Sequence, residues 1–231
     1  MNGKTAAILG VGPGLGAAVA RRFAREGFAV ALMARREQSV AGVQEEIEGA
    51  GGRALPVSAD ATDPASVAAA FDEVRSNLGA PEIFVYNAGA FQMGGILDLS
   101  PEKFDECFKA NCAGAFYAAQ QVLPAMVDGG RGTVLLTGAT AALRGGARFS
   151  ALAVGKFGLR ALAQSMAREF GPRGIHVAHV VVDGQIDTPR VREDHTMLSP
   201  DAIAETYWQL HSQDRTAWTL ELDLRPAVES F

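Results

Sequence analysis

Two features of this chain have residue types and spacing suited to chemistry. The first is a glycine turn, Gly10-Val11-Gly12-Pro13-Gly14-Leu15-Gly16. A turn without side chains lets backbone approach a pyrophosphate closely, and a helix that follows it offers free N–H groups and a positive dipole end. Here the cluster follows a short apolar run and opens a helical pattern, the context a dinucleotide turn needs. Gly10, Gly12, Gly14, Leu15 and Gly16 are therefore candidate cofactor contacts. The second feature is Ala34-Arg35-Arg36, which closes the next apolar run about twenty residues on, where an NAD-selective site places an acid on the ribose 2′-hydroxyl. No carboxylate stands there, and the guanidinium fork of Arg35 suits a 2′-phosphate. NADP(H) is expected ahead of NAD(H). No metal-ligand cluster and no acyl-transfer triad is apparent. His176 and His179 sit in an apolar run and read as packed side chains.

These residues need a scaffold, and the chain alternates short apolar runs with helical patterns. Strands are expected at Thr5–Leu9, Ala29–Met33, Arg53–Ser58, Ile83–Tyr86, Thr133–Leu136, Ile175–Val182 and Trp218–Leu224. Helices are expected over Leu15–Glu26, Glu37–Ala50, Pro64–Leu78, from Pro101 towards Val127, Ala151–Phe170 and Asp201–His211. Gly27 and Gly51-Gly52 stand as stops, and Asp63-Pro64 and Ser100-Pro101 as starts. Such alternation implies βαβ crossovers and a parallel sheet covered on both faces. The fold class is α/β, a Rossmann-type doubly wound parallel sheet of about seven strands. The whole chain, residues 1–231, reads as one dinucleotide-binding domain with a substrate lid over about 186–211.

Further residues join the glycine turn in a fixed order. Gly10, Gly14 and Gly16 give G-x-x-x-G-x-G, although Gly12 to Ala17 also fits G-x-G-x-x-A. Asp60-Ala61 follows strand three, Asn87-Ala88-Gly89 follows strand four, and Asn111 lies in the long helix. Lys156 follows on the next helix, and Asp183-Gly184-x-x-x-Thr188 follows strand six. In these motifs residues 5–188 resemble the short-chain dehydrogenase/reductase family. The resemblance implies an adenine contact at Asp60 and cofactor contacts at Ala61, Asn87, Ala88, Gly89, Lys156, Ile186 and Thr188. It also implies catalytic roles for Asn111 and Lys156, and a homodimer or homotetramer formed by the helices around those two residues.

The same resemblance implies a tyrosine four residues before the lysine and a serine on the preceding strand end. This chain has Leu152 and Ala139 there, and at the longer spacing of the related enoyl reductases it has Phe149. A positioned general acid contributes roughly a hundred- to ten-thousand-fold, so its loss matters. Lys156 itself or a bound water is one substitute. Thr140, taken as the third catalytic candidate, Ser150, Asp183, His195 and Tyr207 are others. The expected function is hydride transfer to or from a small carbonyl, alcohol or activated double bond with a non-standard proton donor. The alternative is a catalytically silent NADP(H)-binding sensor or oligomerisation partner.

The bulk properties narrow the partners. The chain has 231 residues, enough for one large α/β domain, and a net charge of -5 without a basic tract, which points away from nucleic acid and anionic membranes. Two cysteines, Cys107 and Cys112, are expected on one helix facing different ways and suit a reducing cytoplasm. The apolar stretch Thr5–Ala20 is broken by the glycine turn and does not read as a signal peptide. No run approaches a membrane span. Met197, Leu198, Ile203, Tyr207, Trp208 and Leu210 are expected either to wall an apolar pocket or to dock the lid helix.

Overall fold

The computed structural model describes residues 4–187 and 197–228. Thr188 and His195 lie outside the described residues. Seven parallel strands form one sheet in the order β3-β2-β1-β4-β5-β6-β7. They are β1 Thr5–Leu9, β2 Ala29–Ala34, β3 Arg53–Ser58, β4 Ile83–Tyr86, β5 Gly132–Thr137, β6 Ile175–Val182 and β7 Glu221–Leu224. Register is fixed by apolar pairs such as Ile8 with Leu32 and Ile8 with Val85. The order reverses between β1 and β4, and the crevice at that switch point is where open α/β sheets bind ligands. The expected doubly wound architecture is present.

The helices are α1 Leu15–Arg25, α2 Ala41–Gly49, α3 Pro64–Leu78, α4 Pro101–Phe108, α5 Gly114–Asp128, α6 Ser150–Phe170 and α7 Pro200–His211. One face of the sheet packs on α1, α2 and α7 around Ile8, Phe23, Phe28 and Val180. The other packs on α3, α5 and α6 around Phe71, Phe84, Leu136 and Leu159. Asp63 caps α3 by accepting from the Ala65 N–H at 2.9 Å, with Pro64 at the first helical position.

Three elements differ from the sequence expectation by more than a residue at an end. The helix from Glu37 begins as a 3-10 turn, Glu37–Val40, before α2. The long helix from Pro101 is interrupted by a π turn, Lys109–Ala113. Its cause is tertiary: the Tyr86 hydroxyl donates to the Ala110 carbonyl at 2.7 Å, and Asn111 Nδ2 donates to the Ala90 carbonyl at 2.7 Å. Cys107 and Cys112 consequently lie in different turns, both as free thiols. Strand seven starts at Glu221 rather than Trp218. Trp218 instead stacks on His176, ring centroids 4.9 Å apart.

Residues 197–211 belong to the segment expected as a lid. Ile203, Tyr207 and Leu210 are fully buried against the α1 side of the sheet, and Trp208 meets Phe23 and Phe28 edge-on. Burying each such side chain stabilises by roughly 1.5–3 kcal/mol, so α7 is a core helix rather than a pocket wall. Among the described residues, no helix is long and apolar enough to cross a membrane.

Candidate active site

The carboxyl ends of β1 to β4 open onto a cleft of about 600 Å³. It gathers Gly10, Gly12, Arg35, Asp60, Ala61, Asn87, Ala88 and Gly89 from four separate stretches of chain. Gly10 has a φ of 103°, and a Cβ there would run into the backbone of Asn87 and Ala88. Only glycine lets the first turn lie that close to the fourth strand's end. Asn87 then ties the two together, its Nδ2 donating to the Gly10 carbonyl at 2.8 Å. Gly12 has the opposite character: a Cβ there would meet nothing within 4 Å, so its bareness leaves space in the cleft. Helix α1 starts at Leu15 with no acidic side chain in its first turn, which keeps its positive dipole end available to an anion. The observations fit a dinucleotide.

Gly14, Leu15 and Gly16 do not line the cleft. Leu15 is core, and Gly16 backs the turn, where a Cβ would lie 2.6 Å from the Gly10 carbonyl. Ile186 is also not among the residues that line the cleft and bridges to Leu198. The cleft contains lining residues that sequence reasoning missed, among them Val11, Ser39, Thr62 and Phe91. Thr62 had a signal in the Asp60-Ala61-Thr62 spacing, which forms a side-chain turn. Its N–H and hydroxyl both donate to Asp60 Oδ1, at 2.9 and 2.7 Å. Those bonds, and then Arg35, hold the Asp60 carboxyl below the usual carboxylate range. Arg35 and Arg36 both border the cleft, and β2 ends at Ala34 without an acid.

Asn111 and Lys156 meet beside Gly89. A Cβ on Gly89 would lie 2.9 Å from Asn111 Oδ1 and 3.8 Å from Lys156 Nζ. The π turn places Asn111 fully inside, where Nδ2 donates to the Ala90 carbonyl at 2.7 Å while Oδ1 has no partner. Lys156 is buried, and its Nζ donates to the Thr137 carbonyl at 2.8 Å. Burial disfavours the ammonium and pulls its pKa down to about 8. Gly155 makes this approach possible, since a Cβ there would lie 2.6 Å from the Asn111 Cβ.

The remaining candidates separate. Thr140 donates its hydroxyl proton to Asp183 Oδ1, and Asp183 also pairs with Arg225 at 3.5 Å. Tyr207 is buried in the α7 core with its hydroxyl 2.7 Å from Thr137 Oγ1, and burial raises its pKa. That removes it from the reacting end. Ser150 Oγ is buried without a partner at the start of α6. Leu152, half-buried, stands one turn before Lys156. His179 is packed: it meets Glu221 at 3.0 Å, and Glu221 takes both a 2.7 Å and a 2.6 Å bond from Arg160, fastening β7 to α6. Among the described residues, no group of three His, Cys, Asp or Glu side chains could hold a metal ion.

The sequence pattern of the family described as short chain dehydrogenase matches residues 4–199. A short-chain dehydrogenase/reductase of Armillaria gallica is 32% identical over 207 residues, covering 88% of this chain and 79% of that one. The crystal structure of a Rhodopseudomonas palustris short-chain dehydrogenase is similar at 38% identity and TM-score 0.86, over 96% of this chain and 98% of that one. A metagenomic short-chain oxidoreductase, solved in complex with NADP, is similar at 26% identity and TM-score 0.87, over 97% and 98% of the two chains. With most of its length matched and its cleft built from the ends of four parallel strands, this chain belongs to the short-chain dehydrogenase family, as an oxidoreductase of the nucleotide-binding Rossmann type.

Proposed function

We propose that the chain is an NADP(H)-dependent oxidoreductase that moves a hydride to or from a small carbonyl, alcohol or activated double bond. The observation that carries the cofactor choice is Arg35, which faces the same cleft as Gly10 and Gly12 beside a β2 end that holds no carboxylate. A bound nicotinamide would supply or take the hydride. Gly10, Gly12 and the turn that leads into α1 would receive the pyrophosphate, Asp60 the adenine, Arg35 the 2′-phosphate, and Lys156 the nicotinamide ribose. The NADP in the metagenomic relative supports this reading.

The proton needs a non-standard route, because Leu152 and Ala139 carry no hydroxyl. Thr140 has one hydroxyl proton and gives it to Asp183. Its oxygen can accept from a substrate hydroxyl, but it is poorly placed to donate to a carbonyl. Lys156 is the better acid: its pKa of about 8 lies near neutral working pH, where proton transfer in either direction is efficient. One apolar side chain, Leu152, favours the second reading of a silent NADP(H)-binding sensor.

Leu152→Tyr, alone or with Ala139→Ser, tests the proposal. A phenol one turn before Lys156 is expected to gain phenolate character from the ammonium and to create or raise reduction of simple ketones. The unaltered protein is expected to reduce them slowly, and whatever activity it has should fall in Lys156→Met. Vigorous ketone reduction by the unaltered protein that survives Lys156→Met would contradict the proposal. Tight NADPH binding with no turnover over a broad carbonyl panel would favour the sensor.

A further inference from the structure

The loops after β4 and β5 meet at the open end of the cleft, and their composition differs from the rest of the chain. Phe91 lines the cleft beside Gly89 yet is 59% exposed, and its ring packs on Phe149 with centroids 5.7 Å apart. Phe149 caps α6 one turn before Leu152. Met93, two residues beyond Phe91 in the same loop, is 57% exposed. Isolated exposed apolar residues need no explanation, but a packed pair of aromatic rings at the mouth of a site does.

Charge supplies the second half. Residues 138–155, from the end of β5 into α6, contain Arg144 and Arg148 and no Asp or Glu, in a chain whose net charge is -5. Arg144 and Arg148 flank Gly145-Gly146-Ala147 in the loop after β5, both exposed and in no ion pair among the described residues. Arg148 has φ 68°, alone among the described non-glycine residues in being positive. An arginine rarely adopts that conformation. It is held there by the Gly94 N–H, which donates to the Arg148 carbonyl at 2.9 Å and ties the two loops together. Glu106 borders the cleft from the α4 side and repels an anion there, leaving the arginine side as the place for one.

We propose that the substrate is a carboxylate-bearing carbonyl or alcohol compound with an aromatic or bulky aliphatic body. The body lies against Phe91, Phe149 and Met93, and the carboxylate is taken by Arg148 and Arg144, whose planar forks match it. The inference rests on the oxidoreductase reading and assigns its substrate class.

Matched ligands test it. Binding of 4-oxo-4-phenylbutanoate and of its methyl ester is measured by ligand-observed NMR, with and without NADP+, and NADPH binding is measured separately. The acid is expected to bind about tenfold tighter than the ester, and added salt should erode that preference. Arg148→Gly removes the fork while keeping the left-handed backbone unstrained, so it should fold normally and abolish most of the preference. Arg144→Ala should reduce it. Equal binding of acid and ester, or a preference untouched by both substitutions, overturns the proposal. Failure to bind NADPH contradicts the oxidoreductase reading instead, and the ligand comparison without cofactor still decides the anion site.

Discussion

Lys156 is a cation held where water is scarce, and stability should register it. The unfolded chain keeps the lysine proton up to its ordinary pKa of 10.5, whereas the folded chain releases it near 8. Between those values the unfolded state binds more protons, so this residue makes folding stability rise with pH; below that window its buried charge is a constant penalty. The melting temperature of the unaltered protein should therefore rise between about pH 8 and 10.5 relative to Lys156→Met, measured in parallel. Equal pH dependence of the two proteins would count against a depressed lysine. The residue was legible from its place on the helix and from family resemblance, as were Asn111 and Asp60. The Thr140–Asp183 bond was not, because those residues stand far apart in sequence and meet only through neighbouring strands β5 and β6.

Elements were most legible where local chemistry decides them. Arg53–Ser58, Ile83–Tyr86 and Ile175–Val182 have the expected bounds, as does the start of α3 at its Asp-Pro cap. The π turn was hidden because its cause, the Tyr86 hydroxyl on the Ala110 carbonyl, comes from another strand. The same holds for α7, whose apolar face suits a pocket wall or a docking helix equally until its neighbours are known. The contact between α6 and the π turn gives a direct test. Alanine in place of a helix-interior glycine gains about 1 kcal/mol in propensity, but overpacking a filled contact costs about 1–3 kcal/mol. A Cβ at Gly155 would sit 2.6 Å from the Asn111 Cβ, so overpacking should win. Gly155→Ala is expected to lower Tm, by roughly 2–4 °C for each kcal/mol lost, and to weaken NADPH binding. A stabilised variant with intact binding would show that the helices yield easily.

At the scale of the molecule, the sheet order places the cleft at the reversal between β1 and β4; the alternating pattern implied the parallel, doubly wound sheet but not its strand order. Assembly is a separate proposal. Phe108, Phe116, Val154 and Phe157 stand between 37% and 47% exposed on α4, α5 and α6, a face better suited to a second copy than to water. Light scattering should give a dimer or tetramer, and Phe116→Glu should shift it toward monomer; a monomeric unaltered protein would contradict this. The account as a whole stands on what the cleft binds. Fluorescence titration with NADPH and NADH tests it most directly. A charge-assisted contact from an exposed arginine stabilises at the low end of about 1.5–3 kcal/mol, so NADPH should bind about tenfold more tightly than NADH. Arg35→Asp should flatten or reverse that order. Equal affinities in the unaltered protein, or binding of neither nucleotide, would contradict it.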